Sequence, residues 1–216
     1  ILMVVLEMFR RRQEYAQIVA RREWTRDLPV RSIHGSRIAL LGTGDIGQEA
    51  AVRLRAFCPA RITGVNRGGK NPRNLFDGVV RQDLLETVLP HTDLLVISLP
   101  DTAETRCMID KRRLALLPDG ALIVNVGRGC VINQAALEKE LRAGRLFAAL
   151  DVFEREPVPR GDSIWDCPNL IMTPHVAGNM TLPYTKDRIV SLFLEDFENY
   201  CAGKPLKRQV NLHIGY

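Results

Sequence analysis

From about residue 30 onward the chain alternates short apolar runs with stretches whose apolar residues recur every three or four positions. The runs at 37–41, 61–65, 94–99, 122–126, 147–150 and 170–172 read as strands. Several are apolar almost without a break, the pattern of strands covered on both faces. Helical spacing marks 46–57, 83–88, 111–116 and 134–143, the last stopped by Gly144, and a final helix covers about 185–201. Strands alternating with helices predict right-handed βαβ crossovers, hence an α/β fold built on a doubly wound parallel sheet.

The front of the chain follows a different pattern. One amphipathic helix is expected over about 2–24, with Leu2, Val5, Leu6, Phe9, Ala16, Val19 and Ala20 near one face and Glu7 and Arg11 paired four apart on another. The apolar run 1–9 is too short to span a bilayer. Arg10, Arg11 and Arg12 follow that run, whereas a secretory signal carries its positive charges first. No membrane association is expected. The helix starts without a cap, as if in mid-helix, and its apolar face is expected to be covered by a partner.

Composition narrows the picture a little. With 216 residues, 46% apolar and 25% charged, the chain is long enough to enclose a sizeable core. The net charge of +5 is modest, and no aromatic residues interleave with the scattered basic ones, so a nucleic-acid partner is not expected. Cys58, Cys107, Cys130, Cys167 and Cys201 lie far apart, without metal-ligand spacing. A reduced, cytoplasmic protein without a metal is the simplest reading.

Candidate chemistry begins at Gly42, Gly44 and Gly47, which with Asp45 and Ile46 link the strand at 37–41 to a helix. Glycines at this spacing allow a tight turn and a close backbone approach to a pyrophosphate seated on the helix N-terminus. Asp45 is discordant, because a carboxylate near phosphate repels it unless the side chain turns away. After the next strand, NAD-specific folds usually place an acidic residue on the ribose hydroxyls. Here the chain reads Asn66-Arg67-Gly68-Gly69-Lys70, with Arg73 close behind. No carboxylate opposes a 2′-phosphate and Arg67 can bind one, so NADP is expected, with NAD possible.

Three further residues stand in order through the second half: Arg128, Glu156 and His175. A cation, a carboxylate and an imidazole, each beside glycine or proline after an apolar run, make an acid-catalysis set for a carbonyl substrate. The stretches LGTGDIG (41–47), SLPDTAET (98–105), NVGRGCVINQAAL (125–137), DVFEREPVP (151–159) and TPHVAG (173–178) carry the argument further. By them the chain resembles the D-isomer-specific 2-hydroxyacid dehydrogenase family, whose members include glyoxylate/hydroxypyruvate reductases, D-lactate dehydrogenases and phosphoglycerate dehydrogenases.

The resemblance implies a Rossmann fold and a role for each matching position. Arg128 would bind substrate, Glu156 would partner the histidine, and His175 would be the acid/base. Asp151 and Gly178 would contact the nicotinamide end, and Leu99, Pro100, Thr105, Val126 and Gly127 would line the cofactor. Asn133 departs from the family's usual aspartate, which bears on helix capping. The implied reaction is hydride transfer between NADP(H) and a small 2-oxoacid, with glyoxylate or hydroxypyruvate as first choices. An NAD-linked D-lactate-type or branched 2-oxoacid enzyme is the alternative; an NAD(P)-sensing, corepressor-like binding protein is another.

The expected organisation is a linking and dimer-forming helix over 1–30, a dinucleotide-binding domain over 31–184, and a helix with tail over 185–216 returning to a substrate domain. By the resemblance a homodimer is expected, and the family's substrate domain is absent or partial here. The chain alone is therefore expected to bind cofactor but turn over poorly, because no lid excludes water.

Overall fold

The computed structural model describes residues 1–71, 73–178 and 181–210. It divides into two units, Ile1–Pro174 and His175–Tyr216.

The first unit is built on a seven-stranded sheet of β1 (Arg37–Leu41), β2 (Arg61–Asn66), β3 (Gly78–Arg81), β4 (Leu94–Ile97), β5 (Leu122–Asn125), β6 (Phe147–Leu150) and β7 (Leu170–Met172). Their order is β3-β2-β1-β4-β5-β6-β7, and every neighbouring pair is parallel. The helices of this unit are α1 (Leu2–Phe9), α2 (Arg12–Ala20), α3 (Asp45–Arg55), α4 (Leu85–Val88), α5 (Lys111–Leu116) and α6 (Gln134–Arg142). Side chains alternate across a strand, and β1 shows the result. Ile38 and Leu40 pack with Val5 and Phe9 of α1 and with Ala51 and Leu54 of α3. Ala39 and Leu41 pack with Leu85 of α4, Leu114 of α5, and Leu137 and Leu141 of α6. Apolar runs covered on both faces therefore make a three-layer α/β unit. Each fully buried leucine or isoleucine contributes about 1.5–3 kcal/mol.

The front of the chain differs from expectation. The single helix over 2–24 is two, α1 and α2, separated at Arg11, which takes a left-handed φ of 50°. The physical reason lies in the pattern after Phe9. Phe9 is 2% exposed in the core, and the next three residues are arginines that need solvent. The Phe9 carbonyl, which a continuous helix would offer to the Gln13 N–H, instead accepts from the Arg31 N–H. Part of the apolar face of α1 is taken by this chain's own sheet, where Val4, Val5 and Phe9 are buried, while Met3 and Leu6 stay exposed. The Arg31 guanidinium lies 4.5 Å above the Phe9 ring, and the Arg31 N–H donates to the Phe9 carbonyl at 2.8 Å.

Strand β3 was not expected. It is a four-residue strand at the sheet's edge and no residue of it is fully buried, so it lacks a long apolar run. The expected helix over 83–88 is a 3₁₀ turn followed by the single turn α4.

At the N-terminal ends of the strands, Asp93 joins three chain segments. Its carboxylate accepts from the Arg37 backbone N–H at 2.8 Å and from Arg37 Nε at 3.0 Å and Nη2 at 2.9 Å. The Asp93 carbonyl accepts from the Leu122 N–H at 3.0 Å. The hydrogen bonds from the Arg37 side chain are the main reason that the Asp93 carboxyl sits below its ordinary 3.8, with burial opposing.

The second unit carries α7 (Pro183–Cys201), whose Phe193 and Phe197 rings stack at 6.0 Å. Lys207 and Arg208 fold back on it: the Lys207 N–H donates to Asp196 at 2.8 Å, and Arg208 Nη2 meets Glu195 at 2.6 Å. Hydrogen bonds from Lys207 and Arg208 hold Glu195 down to about 2. The tail from 211 onward lies outside the described residues.

Asp93→Asn should cost about 1–2 kcal/mol at neutral pH, the range for charge-assisted hydrogen bonds that are partly exposed. A carboxyl held low in the folded state adds stability that is complete above 3.8 and fades as pH falls through the folded value. The urea stabilities of wild type and variant should therefore begin to converge as pH falls below about 4. A gap that is the same at pH 3 and pH 7 would refute the clamp.

Candidate active site

A parallel sheet gathers the C-terminal ends of its strands at one edge, and the candidate residues of the first unit lie there. Strand order reverses between β1 and β4, the place where an open α/β sheet leaves a crevice for ligands.

The turn from β1 to α3 is set by glycine. Gly42 has φ +107°, and a Cβ on it would lie 2.8 Å from Ser98 Oγ and 2.9 Å from the Ser98 carbonyl oxygen. Its N–H donates to the Val65 carbonyl at 3.0 Å. A Cβ on Gly47 would collide with the Gly42 carbonyl. At Gly44, by contrast, an added Cβ meets nothing within 4 Å among the described residues, so the tip of the turn is open. Gly44 caps α3, and no side chain accepts from the first turn there. An eleven-residue helix with an open cap carries partial positive charge at its N-terminus. Asp45 is exposed in that first turn, where the helix dipole favours a carboxylate, which accounts for its presence. Ile46 is 52% exposed beside it.

After β2, Asn66 shapes a basic loop. Its Nδ2 donates to Thr43 Oγ1 at 2.7 Å and to the Lys70 carbonyl at 3.0 Å, while its Oδ1 accepts from the Gly69 N–H at 2.6 Å. Arg67 is not a loose surface charge: its Nε lies 2.9 Å from Glu104 Oε2. Arg73 donates to Gln48 of α3 at 2.6 Å.

The loop after β4 is held by Thr105, which is 4% exposed. Its hydroxyl donates to the Pro100 carbonyl at 2.7 Å and accepts from the Thr102 N–H at 2.9 Å. Leu99 packs under Gly127, where a Cβ would lie 2.6 Å from the Leu99 carbonyl oxygen. The loop after β5, from Val126, is organised by the fully buried Asn125. Asn125 Nδ2 donates to the Arg128 carbonyl at 2.9 Å, and its Oδ1 accepts from the Gly127 N–H at 3.0 Å. Arg128 is thereby held extended, at φ −141° and ψ 140°, with its side chain exposed and Nη1 donating to the Gly127 carbonyl at 2.7 Å. Cys130, two residues on, has its thiol pushed up mainly by burial and further by Asp101, so it stays protonated.

Gly129 abuts the Phe153 backbone so closely that no Cβ fits, which joins this loop to the one after β6. There Asp151, 5% exposed, accepts from the Thr173 hydroxyl at 2.5 Å. Glu156 is exposed and accepts from the Phe153 N–H at 2.8 Å, closing its own turn. Asn133 caps α6, accepting from the Ala136 N–H at 2.9 Å, so amide serves there as well as carboxylate.

The structure thus brings Arg128, Asp151 and Glu156 to the same sheet edge as Gly42–Gly47, Asn66, Arg67 and 99–105. His175 and Gly178 belong to the second unit. His175 is exposed with a left-handed φ of 54°, and a Cβ on Gly178 would meet nothing within 4 Å among the described residues. Sequence reasoning missed Asn125, Thr173, Ser98 and Glu104. Only Asn125 carried a local signal, as a polar residue closing an apolar run before glycine; the others act through contacts between separate loops.

A family model described as "D-isomer specific 2-hydroxyacid dehydrogenase, NAD binding domain" matches residues 2–177. The chain is 33% identical over 214 residues to glyoxylate/hydroxypyruvate reductase A of Salmonella newport, covering 98% of this chain and 66% of that protein. It therefore spans 66% of the length of the curated relatives it matches. A D-isomer specific 2-hydroxyacid dehydrogenase from Xanthobacter autotrophicus Py2, solved in complex with NADPH and MES, superposes with a TM-score of 0.85 at 34% identity. That match covers 100% of this chain and 86% of the other. An NADPH-dependent glyoxylate/hydroxypyruvate reductase from Sinorhizobium meliloti, in complex with NADP and sulfate, gives 0.86 at 30% identity, covering 100% and 67%.

The glycine turn gives a differential test. Gly47→Ala should cost about 1–3 kcal/mol by overpacking, whereas Gly44→Ala should cost less than about 1 kcal/mol as a cap change alone. Equal losses in urea denaturation would contradict the close approach at Gly47.

Proposed function

This chain belongs to the D-isomer specific 2-hydroxyacid dehydrogenase family, and we propose on that footing that the natural polypeptide carrying it transfers hydride between NADP(H) and a small 2-oxoacid. Glyoxylate or hydroxypyruvate is the first choice, in line with the names of the Salmonella and Sinorhizobium relatives. The observation that carries the reading is Arg128: an exposed guanidinium on a backbone held by a buried asparagine, at the sheet edge that also bears the glycine turn.

The residues present fit a dinucleotide. The open tip at Gly44, the close-packed Gly42 and Gly47, and the uncapped N-terminus of α3 suit a pyrophosphate. Arg67 beside Asn66, with no carboxylate of β2 in the way, suits a 2′-phosphate. NADP is the proposed cofactor, as it is for the Xanthobacter and Sinorhizobium proteins. When bound, its nicotinamide ring supplies or accepts the hydride.

The chain's own residues do the rest. Arg128 binds the substrate carboxylate or carbonyl oxygen by charge-assisted hydrogen bonds and stabilises the negative charge that develops there. His175 donates the proton that the carbonyl oxygen takes up, and Glu156 stabilises the resulting imidazolium. Thr173 orients Asp151 for the nicotinamide end. Residues 31–184 form the cofactor domain in this reading, with 1–30 and 185–216 connecting to a substrate domain. The protein acts in the cytoplasm as a homodimer, to which the exposed Met3 and Val19 of α1 and α2 offer apolar area.

The test follows NADPH and NADH oxidation with glyoxylate, hydroxypyruvate and pyruvate by the natural polypeptide. Turnover with NADPH and a 2-oxoacid is expected, and His175→Ala should lower kcat by about 10²–10⁴. Near-normal turnover in that variant would remove His175 from the mechanism, and no turnover with any pair would sink the reading. Light scattering at micromolar concentration should give a dimer mass; a monomer would contradict the proposed assembly.

A further inference from the structure

The ion pair between Arg67 and Glu104 has no part in the function just proposed, yet both partners sit on anchored backbone. Asn66 fixes the Arg67 loop by three hydrogen bonds. Glu104 is carried on the turn that the buried Thr105 hydroxyl closes. Between them Nε meets Oε2 at 2.9 Å, and Gln82 Nε2 also reaches Glu104 at 3.5 Å. Neither side chain is buried, at 35% and 56% exposed, so the pair is weak enough for a phosphate to compete with it.

We propose that Glu104 is a specificity-determining residue: it occupies Arg67 and lowers affinity for a dinucleotide bearing a 2′-phosphate relative to one without. The inference rests on the reading of Arg67 as the arginine for that phosphate. A 2′-phosphate is close to a dianion. To bind Arg67 it must either displace the Glu104 carboxylate from the Nε edge or share the guanidinium with it. Displacement loses an ion pair, and sharing sets like charges side by side. NADH has a neutral hydroxyl at that position and meets neither penalty.

Strand β2 ends in Asn66 where NAD-specific folds place an acid. Glu104 therefore brings a carboxylate to the same end of the site from a different loop. The outcome is a tempered preference for NADPH that leaves NADH usable.

The test is a set of dissociation constants for NADPH and NADH, from nicotinamide fluorescence titrations of this chain as wild type, Glu104→Gln, Arg67→Gln and the double variant. Glu104→Gln should tighten NADPH about three- to tenfold and leave NADH within about twofold. The gain should vanish in the Arg67→Gln background and shrink at high ionic strength. If Arg67→Gln weakens NADPH but Glu104→Gln leaves it unchanged or weaker, Glu104 is no counterweight and the inference falls while the Arg67 reading stands. If Arg67→Gln leaves NADPH binding untouched, the Arg67 reading fails and takes this inference with it.

Discussion

The backbone carbonyl of Gly42 lies so close to Gly47 that no side chain fits between them, and the C-terminal edge of the sheet is organised around that contact. It lets α3 start directly off β1, with Ala50, Ala51 and Leu54 buried on the sheet and the open turn at Gly44 above it. Gly42 is pinned from two sides, by Val65 at the end of β2 and by Ser98 at the end of β4. Three strand ends are thus locked at the point where strand order reverses. The same device recurs twice farther along, at Gly127 against Leu99 and at Gly129 against Phe153. Backbone packed on backbone, without side chains between, fixes how closely these loops approach one another.

Charge is distributed to match. At the N-terminal ends of the strands, Arg37 and Asp93 neutralise each other in a clamp that stabilises the sheet. At the C-terminal edge, Arg128 and Glu156 are each satisfied by local backbone, which orients them while leaving both exposed. Asn125 shows the cost of this arrangement. A fully buried amide is tolerable only because both its ends are bonded, and those bonds hold the Arg128 loop.

Much of this was legible in the chain. The inner strands are apolar on both faces, so their runs stand out, and the glycine turn, Arg67, Arg128, Glu156 and His175 each follow an apolar run. Strand β3 was not legible because an edge strand with half-buried residues has no such run. The break between α1 and α2 was missed because helical spacing resumes at Ala16, and the bond that takes the Phe9 carbonyl comes from the distant Arg31. Nor was the packing of Val4, Val5 and Phe9 of α1 on the chain's own sheet. Contacts between separate loops, Arg67 with Glu104 and Asp151 with Thr173, depend on which strand ends adjoin, and residue spacing does not reveal that.

If the loops at one edge of the doubly wound sheet together hold a dinucleotide, binding must protect them. Hydrogen–deuterium exchange on this chain, with and without saturating NADPH, tests it without reference to turnover. Slowed exchange is expected at 42–48, 66–70, 99–105 and 125–128, and none around the Arg37–Asp93 clamp at the opposite ends of the strands. Exchange unchanged in all four loops, or slowed only at the clamp end, would contradict it.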